Sequence, residues 1–322
     1  MAFTMHSHSG QFCPGHAKDQ LEQVVQHAIS IGYKTMALTE HMPRTGLEDL
    51  YPEELDDPEG SLATLMPRHE AYLLEAQRLQ AKYADQIHIL IAFEGEFIRP
   101  EVYGPLVREL AAHPAIDYFM GSLHHACGVA IDFDKPFYAS ARDAAGGTEE
   151  LLYARYYDEQ HAMLTTLEPA IVGHFDLIRL LSEEPERDLR AAWPEAVSGS
   201  GETVWEKVVR NLKVVRSYGG WLECNTSALR KGLAEPYPAR AIAEEWLKMG
   251  GKFTMSDDSH GIAQVATNYQ RALDYLESLG VTEVWTLART PHPGLKGGMK
   301  AALKERSVTL ADFRQGLIQN LN

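Results

Sequence analysis

Cysteine is scarce in this chain. Its 322 residues include three cysteines, which are far apart in the sequence. Their odd number and wide spacing argue against a disulfide framework, and the absence of a CxxC pair argues against a zinc ribbon. We therefore interpret Cys13, Cys127 and Cys224 as free thiols in a reducing compartment.

Long apolar runs and an excess of basic charge are also missing. No apolar run approaches the roughly 20 residues of a membrane span, and no basic stretch followed by an apolar core marks a secretory signal. Acidic residues outnumber basic ones by 45 to 30, a net charge of -15. This charge repels nucleic acid, because duplex binding depends on neutralising phosphates. We expect a cytoplasmic protein that binds neither membranes nor nucleic acid.

Short apolar segments alternate with helical patterns along the chain. Such alternation is typical of an α/β fold whose parallel strands are joined by right-handed crossovers. The helical pattern is clearest at 71–83, 203–218 and 239–249. The seven predicted strands are Ala2–His8, Lys34–Leu38, His88–Phe93, Ile116–Met120, Ala170–Val172, Trp221–Cys224 and Lys252–Met255. An eighth apolar run, Val281–Leu287, could be a further strand or an edge piece.

Two stretches have the composition of surface loops. The segments near 126–148 and 182–202 are rich in glycine, proline, serine or charge. Loops of this length in a compact domain often close over or bind a ligand. No linker separates two cores, so we predict one domain over residues 1–322 with these two inserted loops.

Residues that bind metals follow most of the predicted strands. On an extended strand, His6 and His8 point the same way about 6.5 Å apart, so both can reach one ion. Each such residue alone has an ordinary structural explanation, but together they would meet at the carboxyl ends of parallel strands, where ligands gather. The others are His41, Glu94, His124, His174, Asp258 and His260. Mixed imidazole and carboxylate donors suit zinc, manganese or iron. By contrast, we assign the helical histidines His27, His69 and His161 to packing or to the surface.

These motifs resemble, in their order, the polymerase-and-histidinol-phosphatase (PHP) family, and within it the histidinol-phosphatases. The resemblance spans residues 6 to 260. It rests on His6-x-His8, Thr39-Glu40-His41, Phe93-Glu94, Gly121-Ser122-Leu123-His124, Gly173-His174-x-Asp176, Glu223-Cys224-Asn225-Thr226-Ser227 and Asp258-x-His260. It implies a distorted (β/α)7 TIM-like barrel with a metal site at the C-terminal ends of its strands.

The resemblance also implies which residues hold two to three divalent ions. A first ion would be held by His6, His8, Glu94 and Asp258. Glu94 would bridge to a second ion on His124 and His174, and a third would lie on His16, His41 and His260. Glu94, Asp258 and His260 are the expected catalytic residues.

Three of these assignments have a neighbouring rival. Alternation along a strand lets one of two adjacent residues face inward, and Glu96 would face the same way as Glu94. The family usually has glycine where Ala92 stands, which weakens the register there. Glu96 is the rival of Glu94, His125 of His124 and Asp257 of Asp258. The family's spacing favours Glu94, His124 and Asp258.

The activity implied by the resemblance is hydrolysis of L-histidinol phosphate, a small phosphorylated amino alcohol. The expected nucleophile is a hydroxide held by the metal ions. Candidates for phosphate or substrate binding are Asn225, Arg230, Lys231 and Arg44. Three alternatives stay open: a PHP phosphoesterase acting on another small phosphate ester or a nucleotide, an aminohydrolase, and a metal-binding protein without activity.

Overall fold

Seven parallel strands form one sheet that curves into a nearly closed barrel. The computed structural model of the chain describes residues 1–290 and 302–317. The described residues form these strands, of which β5, β6, β10 and β11 lie outside the barrel: β1 (Ala2–Thr4), β2 (Tyr33–Leu38), β3 (His88–Gly95), β4 (Tyr118–Gly121), β5 (His125–Ala126), β6 (Val129–Ala130), β7 (Ile171–Val172), β8 (Trp221–Asn225), β9 (Phe253–Ser256), β10 (Glu283–Thr290) and β11 (Ala302–Thr309). The barrel order is β1-β2-β3-β4-β7-β8-β9. The predicted seven-stranded α/β barrel is confirmed.

The barrel closes between the first and the last strand, just beyond β1 and at the end of β9. The backbone N–H of Met5 donates to the carbonyl of Met255 at 3.0 Å, and that of His8 donates to the carbonyl of Ser259 at 2.8 Å. Ser7 and Ser259 form an isolated parallel bridge at the same place. This closure brings the two N-terminal histidines beside the loop that follows β9.

Helices connect the strands and cover the outside of the barrel. The residues of the seven barrel strands are buried almost throughout, because a parallel sheet of this kind is covered on both faces. The helices are α1 (Leu21–Ser30), α2 (Pro58–Lys82), α3 (Pro100–Ala112), α4 (Lys135–Ala144), α5 (Glu149–Leu167), α6 (Leu189–Ala192), α7 (Val204–Tyr218), α8 (Ser227–Arg230), α9 (Arg240–Lys248), α10 (Tyr269–Ser278) and α11 (Leu310–Gly316). None in the described part of the chain has the length and apolarity needed to cross a membrane.

Local signals explain where two of the helices begin. Helix α7 starts at a capping box, in which Thr203 and Glu206 satisfy each other's backbone N–H groups. Helix α2 is 25 residues long, whereas the sequence pattern predicts only residues 71–83. Asp57 caps its start by accepting the backbone N–H of Gly60, and Pro58 suits the first turn. The apolar pattern of its first turns is weak, so the sequence does not predict a helix over residues 58–70.

One sequence expectation needs correction, and one open alternative is decided. The segment near 126–148 is not a loop throughout, because it contains the β5–β6 hairpin and helix α4, capped by Asp134. The segment near 182–202 is mostly irregular and contains the short helix α6. The eighth apolar run forms β10, which pairs antiparallel with β11 in a separate two-stranded sheet and does not join the barrel. That the whole chain forms one domain stays a prediction.

Candidate metal centre

A set of four donors meets where the barrel closes. Nε2 of His6 and Nε2 of His8 are 3.0 Å apart. Oε2 of Glu94 lies 3.3 Å from the first nitrogen and 3.4 Å from the second. Oδ1 of Asp258 lies 3.6 and 3.5 Å from the same two nitrogens. Because zinc bonds are about 2.0–2.1 Å long, donors around one tetrahedral zinc are about 3.3 Å apart. The four residues therefore have the spacing of ligands to one ion.

Glu94 also belongs to a second set through its other oxygen. Oε1 lies 3.0 Å from Nε2 of His174 and 3.4 Å from Nε2 of His124. The three donors lie within 4.8 Å of one another, as a shared ion would require. A carboxylate that presents one oxygen to each of two donor sets has the geometry of a bridging ligand between two ions.

A third set lies beside the first. Donor atoms of His8, His41 and His260 come within 4.8 Å of one another, and the His8 ring stacks on each of the other two rings at 4.4 Å. The third set expected from the resemblance contained His16 in place of His8. The His16 ring is 4.7 Å from that of His260. Its Nδ1, however, lies 3.2 Å from Glu53, and its side chain is 47% exposed.

Unpaired nitrogens support the fit of these sets to metal ions. Buried polar atoms are almost always hydrogen-bonded in native proteins, so an exception calls for a missing ligand. Among the described residues, three buried ring nitrogens of the third set have no hydrogen-bond partner, namely Nδ1 of His8, Nε2 of His41 and Nε2 of His260. The donor types and their spacing fit divalent cations; the assignment of individual ligands stays a prediction.

Buried glutamates face the outer nitrogens of two histidines. A carboxylate oxygen of Glu223 lies 3.1 Å from Nδ1 of His6, and one of Glu96 lies 2.9 Å from Nδ1 of His124. Glu96 also accepts the hydroxyl of Tyr51 at 2.6 Å. Such carboxylates orient a histidine and direct its other nitrogen to the metal. This arrangement separates the rivals Glu94 and Glu96: the first lies among the Nε2 atoms, and the second supports one ring from outside.

The backbone separates the rivals Asp257 and Asp258. Asp258 has a φ of 48°, in the left-handed region that non-glycine residues rarely adopt. Its carboxylate reaches the donor set described above. The Asp257 carboxylate points elsewhere and accepts hydrogen bonds from the Tyr33 hydroxyl at 2.8 Å and the Ala266 N–H at 2.7 Å. Asp257 thus supports the loop after β9, and Asp258 faces the cluster.

Burial and neighbouring charges shift the pKa values in the cluster in opposite directions. Burial raises the pKa of Glu94, but His6 and His124 outweigh it and hold the pKa well below its usual range. Burial and the nearby His41 lower the pKa of His8 to about 3. Glu94 is therefore ionised and His8 neutral at pH 7, as metal binding requires. Burial lowers the pKa values of His6 and His124, but the neighbouring carboxylates outweigh it and raise them, so a metal ion has to displace protons from these two rings.

Two of the predicted substrate-binding residues, Asn225 and Arg230, form hydrogen bonds within the protein instead. The Asn225 side chain is buried; its Nδ2 donates to Glu223 at 2.8 Å and its Oδ1 accepts the N–H of Ser227 at 2.8 Å. The Arg230 guanidinium donates to the backbone carbonyls of Asp257 and Asp258 at 2.9 and 2.8 Å. These contacts indicate that Asn225 holds Glu223 in place and that Arg230 holds the Asp258 loop in place, and they do not favour a role in substrate binding.

The other two predicted contacts differ in position. Arg44 is buried, pairs with Glu54 at 2.5 Å and lies 4.2 Å above the Tyr51 ring. Lys231 is exposed and lines a cavity of about 360 Å³ above the donor sets. Of the four predicted contacts, Lys231 is the one whose side chain the structure brings to this cavity.

The cavity also contains residues that the sequence did not single out. It is lined by the donor residues His41, Glu94, His124, His174, Asp258 and His260, by His16 and Lys231, and by Gly15, Tyr51, Glu53, Asp132, Phe133 and Leu177. Asp132 and Phe133 belong to a segment interpreted as a plain loop, and no local motif marks them. Only the chain's path between the β5–β6 hairpin and α4 brings them to the barrel mouth.

A parallel barrel with clustered histidine and carboxylate donors at the carboxyl ends of its strands defines a class of metal-dependent hydrolases. Comparison with known proteins narrows this class. The family model described as the PHP domain matches residues 4–227. The chain belongs to the PHP family.

Relatives and solved structures agree with this membership. The chain is 41% identical over 292 residues to the probable histidinol-phosphatase of Schizosaccharomyces pombe, covering 90% of this chain and 91% of the relative. It is 32% identical to the histidinol-phosphatase of Saccharomyces cerevisiae, with 84% and 87% covered. Its fold is similar to that of histidinol phosphate phosphatase from Lactococcus lactis, a structure complexed with zinc, L-histidinol and phosphate, at a TM-score of 0.63 and 18% identity, with 94% and 98% covered.

Proposed function

We propose that this chain is a phosphomonoesterase that hydrolyses L-histidinol phosphate to L-histidinol and phosphate, a step of histidine biosynthesis. The observation that carries the proposal is Glu94, whose two oxygens face two separate donor sets. This is the arrangement of two-metal phosphate-ester hydrolases. Two relatives that share more than 30% of its sequence, over most of both chains, are histidinol-phosphatases by name.

The donor sets would hold two to three divalent ions, with zinc, manganese and iron as the candidates. When bound, such ions generate a nucleophile from water at neutral pH and neutralise the charge of the phosphoryl group. His6, His8, Glu94 and Asp258 would hold the first, and Glu94, His124 and His174 the second. His41 and His260, with His8 or His16, would hold the third.

The chain's own residues prepare the site for a phosphate monoester. Lys231 adds a positive charge to the cavity wall, where it can contact a phosphoryl oxygen. Glu96 and Glu223 hold His124 and His6 with Nε2 toward Glu94. Preorganised groups of this kind lower the barrier because they need no reorganisation during the reaction. A cytoplasmic location for this activity stays a prediction.

Phosphate release from a substrate panel tests the proposal. The purified protein, loaded with zinc or manganese, is assayed with L-histidinol phosphate, nucleotides, phosphosugars and p-nitrophenyl phosphate. We expect kcat/KM for L-histidinol phosphate to exceed the others by orders of magnitude, and Glu94→Gln to remove all the activities together. Turnover of the panel without turnover of L-histidinol phosphate would refute the substrate assignment and leave a phosphoesterase of the same family acting on another small ester.

A further inference from the structure

Asp132 and Phe133 are held at the mouth of the cavity between two fixed points. On one side, the N–H of Ile131 donates to the carbonyl of His124 at 2.9 Å, which ties the segment to the donor cluster. On the other side, the Asp134 side chain accepts the N–H of Phe137 at 2.9 Å and caps α4. The two residues between these anchors are therefore presented to the cavity in a defined position.

Asp132 is the carboxylate of the cavity wall that has no counter-charge. Four acidic residues line the cavity. Glu53, Glu94 and Asp258 each lie close to histidine nitrogens. The half-buried Asp132 makes no hydrogen bond or ion pair with any residue in the described ranges. A half-buried carboxylate without a partner is costly to desolvate further unless a ligand supplies a positive charge.

Phe133 places an aromatic ring beside this carboxylate. Its side chain is 47% exposed, which is unusual for a large apolar residue in this protein. One edge of the ring contacts Phe137, with centroids 5.4 Å apart at 74°, and the ring also lines the cavity. A flat heteroaromatic group can pack against such a ring, and a cation gains from its π face.

We propose that Asp132 and Phe133 form the subsite for the organic half of the substrate. The Asp132 carboxylate accepts hydrogen bonds from the ammonium group of the amino alcohol, and Phe133 packs against its imidazole ring. The inference rests on the proposed function and deepens it. It predicts selectivity over nucleotides and phosphosugars, because these esters carry no ammonium group to neutralise Asp132 and leave its charge unpaired at the mouth.

Steady-state kinetics on two substrates tests this subsite. Asp132→Asn and Phe133→Ala are compared with wild type on L-histidinol phosphate and on p-nitrophenyl phosphate, which lacks the ammonium group. We expect Asp132→Asn to lower kcat/KM about 10- to 100-fold on the first substrate, mainly through KM, because a charged hydrogen bond is lost. The second substrate should change less than about twofold. Inhibition by L-histidinol should weaken in parallel, while inhibition by inorganic phosphate should not.

Asp143→Asn is the matched control, since it removes the same charge from an exposed position on α4 that does not line the cavity. It should leave both substrates unchanged. If wild type hydrolyses L-histidinol phosphate and Asp132→Asn does so equally well, the subsite is refuted and the proposed function stands. Equal losses on both substrates would also refute it, because they would indicate a general structural role. If wild type hydrolyses only the other esters, the proposed function itself fails.

Discussion

The Glu223 carboxylate lies 3.1 Å from Nδ1 of His6 and determines which nitrogen of that ring faces Glu94. Burial raises the pKa of Glu223, but His6 outweighs it and lowers the pKa, so the carboxylate is ionised and can only accept. Nδ1 therefore donates to this carboxylate. Burial lowers the pKa of His6, but Asp258 and Glu94 outweigh it and raise the pKa, so a metal ion has to displace the proton from Nε2, the nitrogen that faces Glu94. Glu223 also accepts the His174 N–H at 2.6 Å and the Asn225 side chain at 2.8 Å, so it holds two donor sets in register.

We therefore expect Glu223→Gln to weaken metal binding. An amide cannot accept all of these hydrogen bonds, so His6 loses its fixed orientation. Loss of such a supporting carboxylate costs about 10- to 100-fold in metal affinity. Titration calorimetry with zinc on the metal-free protein measures the effect. The exposed Glu109 of α3 provides the control variant Glu109→Gln, and equal affinities for the two variants would contradict the role given to Glu223.

Glu94 and Glu96 should respond differently to the same substitution. Glu94→Gln removes a charge shared by two donor sets, so we expect activity at the background rate and loss of bound metal. Glu96→Gln changes a group that faces Nδ1 of His124 from outside the donor sets and accepts the Tyr51 hydroxyl, so we expect a loss of about 10- to 100-fold. Kinetics together with metal analysis of both variants checks this. A larger loss for Glu96→Gln would reverse the roles of the two residues.

Substitution of Asp257 should affect stability, and substitution of Asp258 should affect metal binding. Asp257→Asn disturbs the hydrogen bonds from Tyr33 and Ala266, so we expect the free energy of unfolding of the metal-free protein to fall by about 1–3 kcal/mol. Its zinc content should stay normal. Asp258→Asn should instead lose zinc. Urea denaturation and metal analysis of both variants provide the comparison, and loss of zinc in Asp257→Asn with an intact fold would argue for the opposite assignment.

The buried His69 should make stability depend on pH. Burial, with a smaller contribution from His113, lowers its pKa from 6.5 to about 4, and neither ring nitrogen has a hydrogen-bond partner among the described residues. The folded state therefore keeps the ring neutral where the unfolded chain takes up a proton. Stability is fully present above about pH 6.5 and falls as the pH drops toward 4, by up to about 3 kcal/mol.

The variant His69→Leu isolates this effect. Other buried histidines titrate in both proteins, so only the difference between wild type and variant is informative. Urea denaturation of the metal-free proteins from pH 8 to pH 4.5 should show a difference that is constant above pH 6.5. Below that pH it should shift in favour of the variant. A difference that does not change with pH would mean that the pKa of His69 is the same in the folded and unfolded states.

The sequence by itself determined the architecture and the candidate donors. Alternating strand and helix patterns predict seven parallel strands, and the structure has seven parallel strands in one sheet. The carboxyl ends of such strands meet at one end of a barrel, so His6, Glu94 and His174 could be expected together although they are far apart in the chain. Both inferences depend on local periodicity and on a general property of parallel sheets.

Tertiary structure decided what local patterns leave open. Alternation along β3 leaves both Glu94 and Glu96 on one face, and only the positions of His6 and His124 distinguish them. The left-handed backbone at Asp258 breaks the alternation that the sequence pattern assumes. The sequence suggests that Arg230 binds phosphate, but in the structure its guanidinium donates to the backbone carbonyls of Asp257 and Asp258. Asp132 reaches the cavity because a hairpin and a helix fix its segment, and contacts between distant segments are not encoded in the residues around any one position.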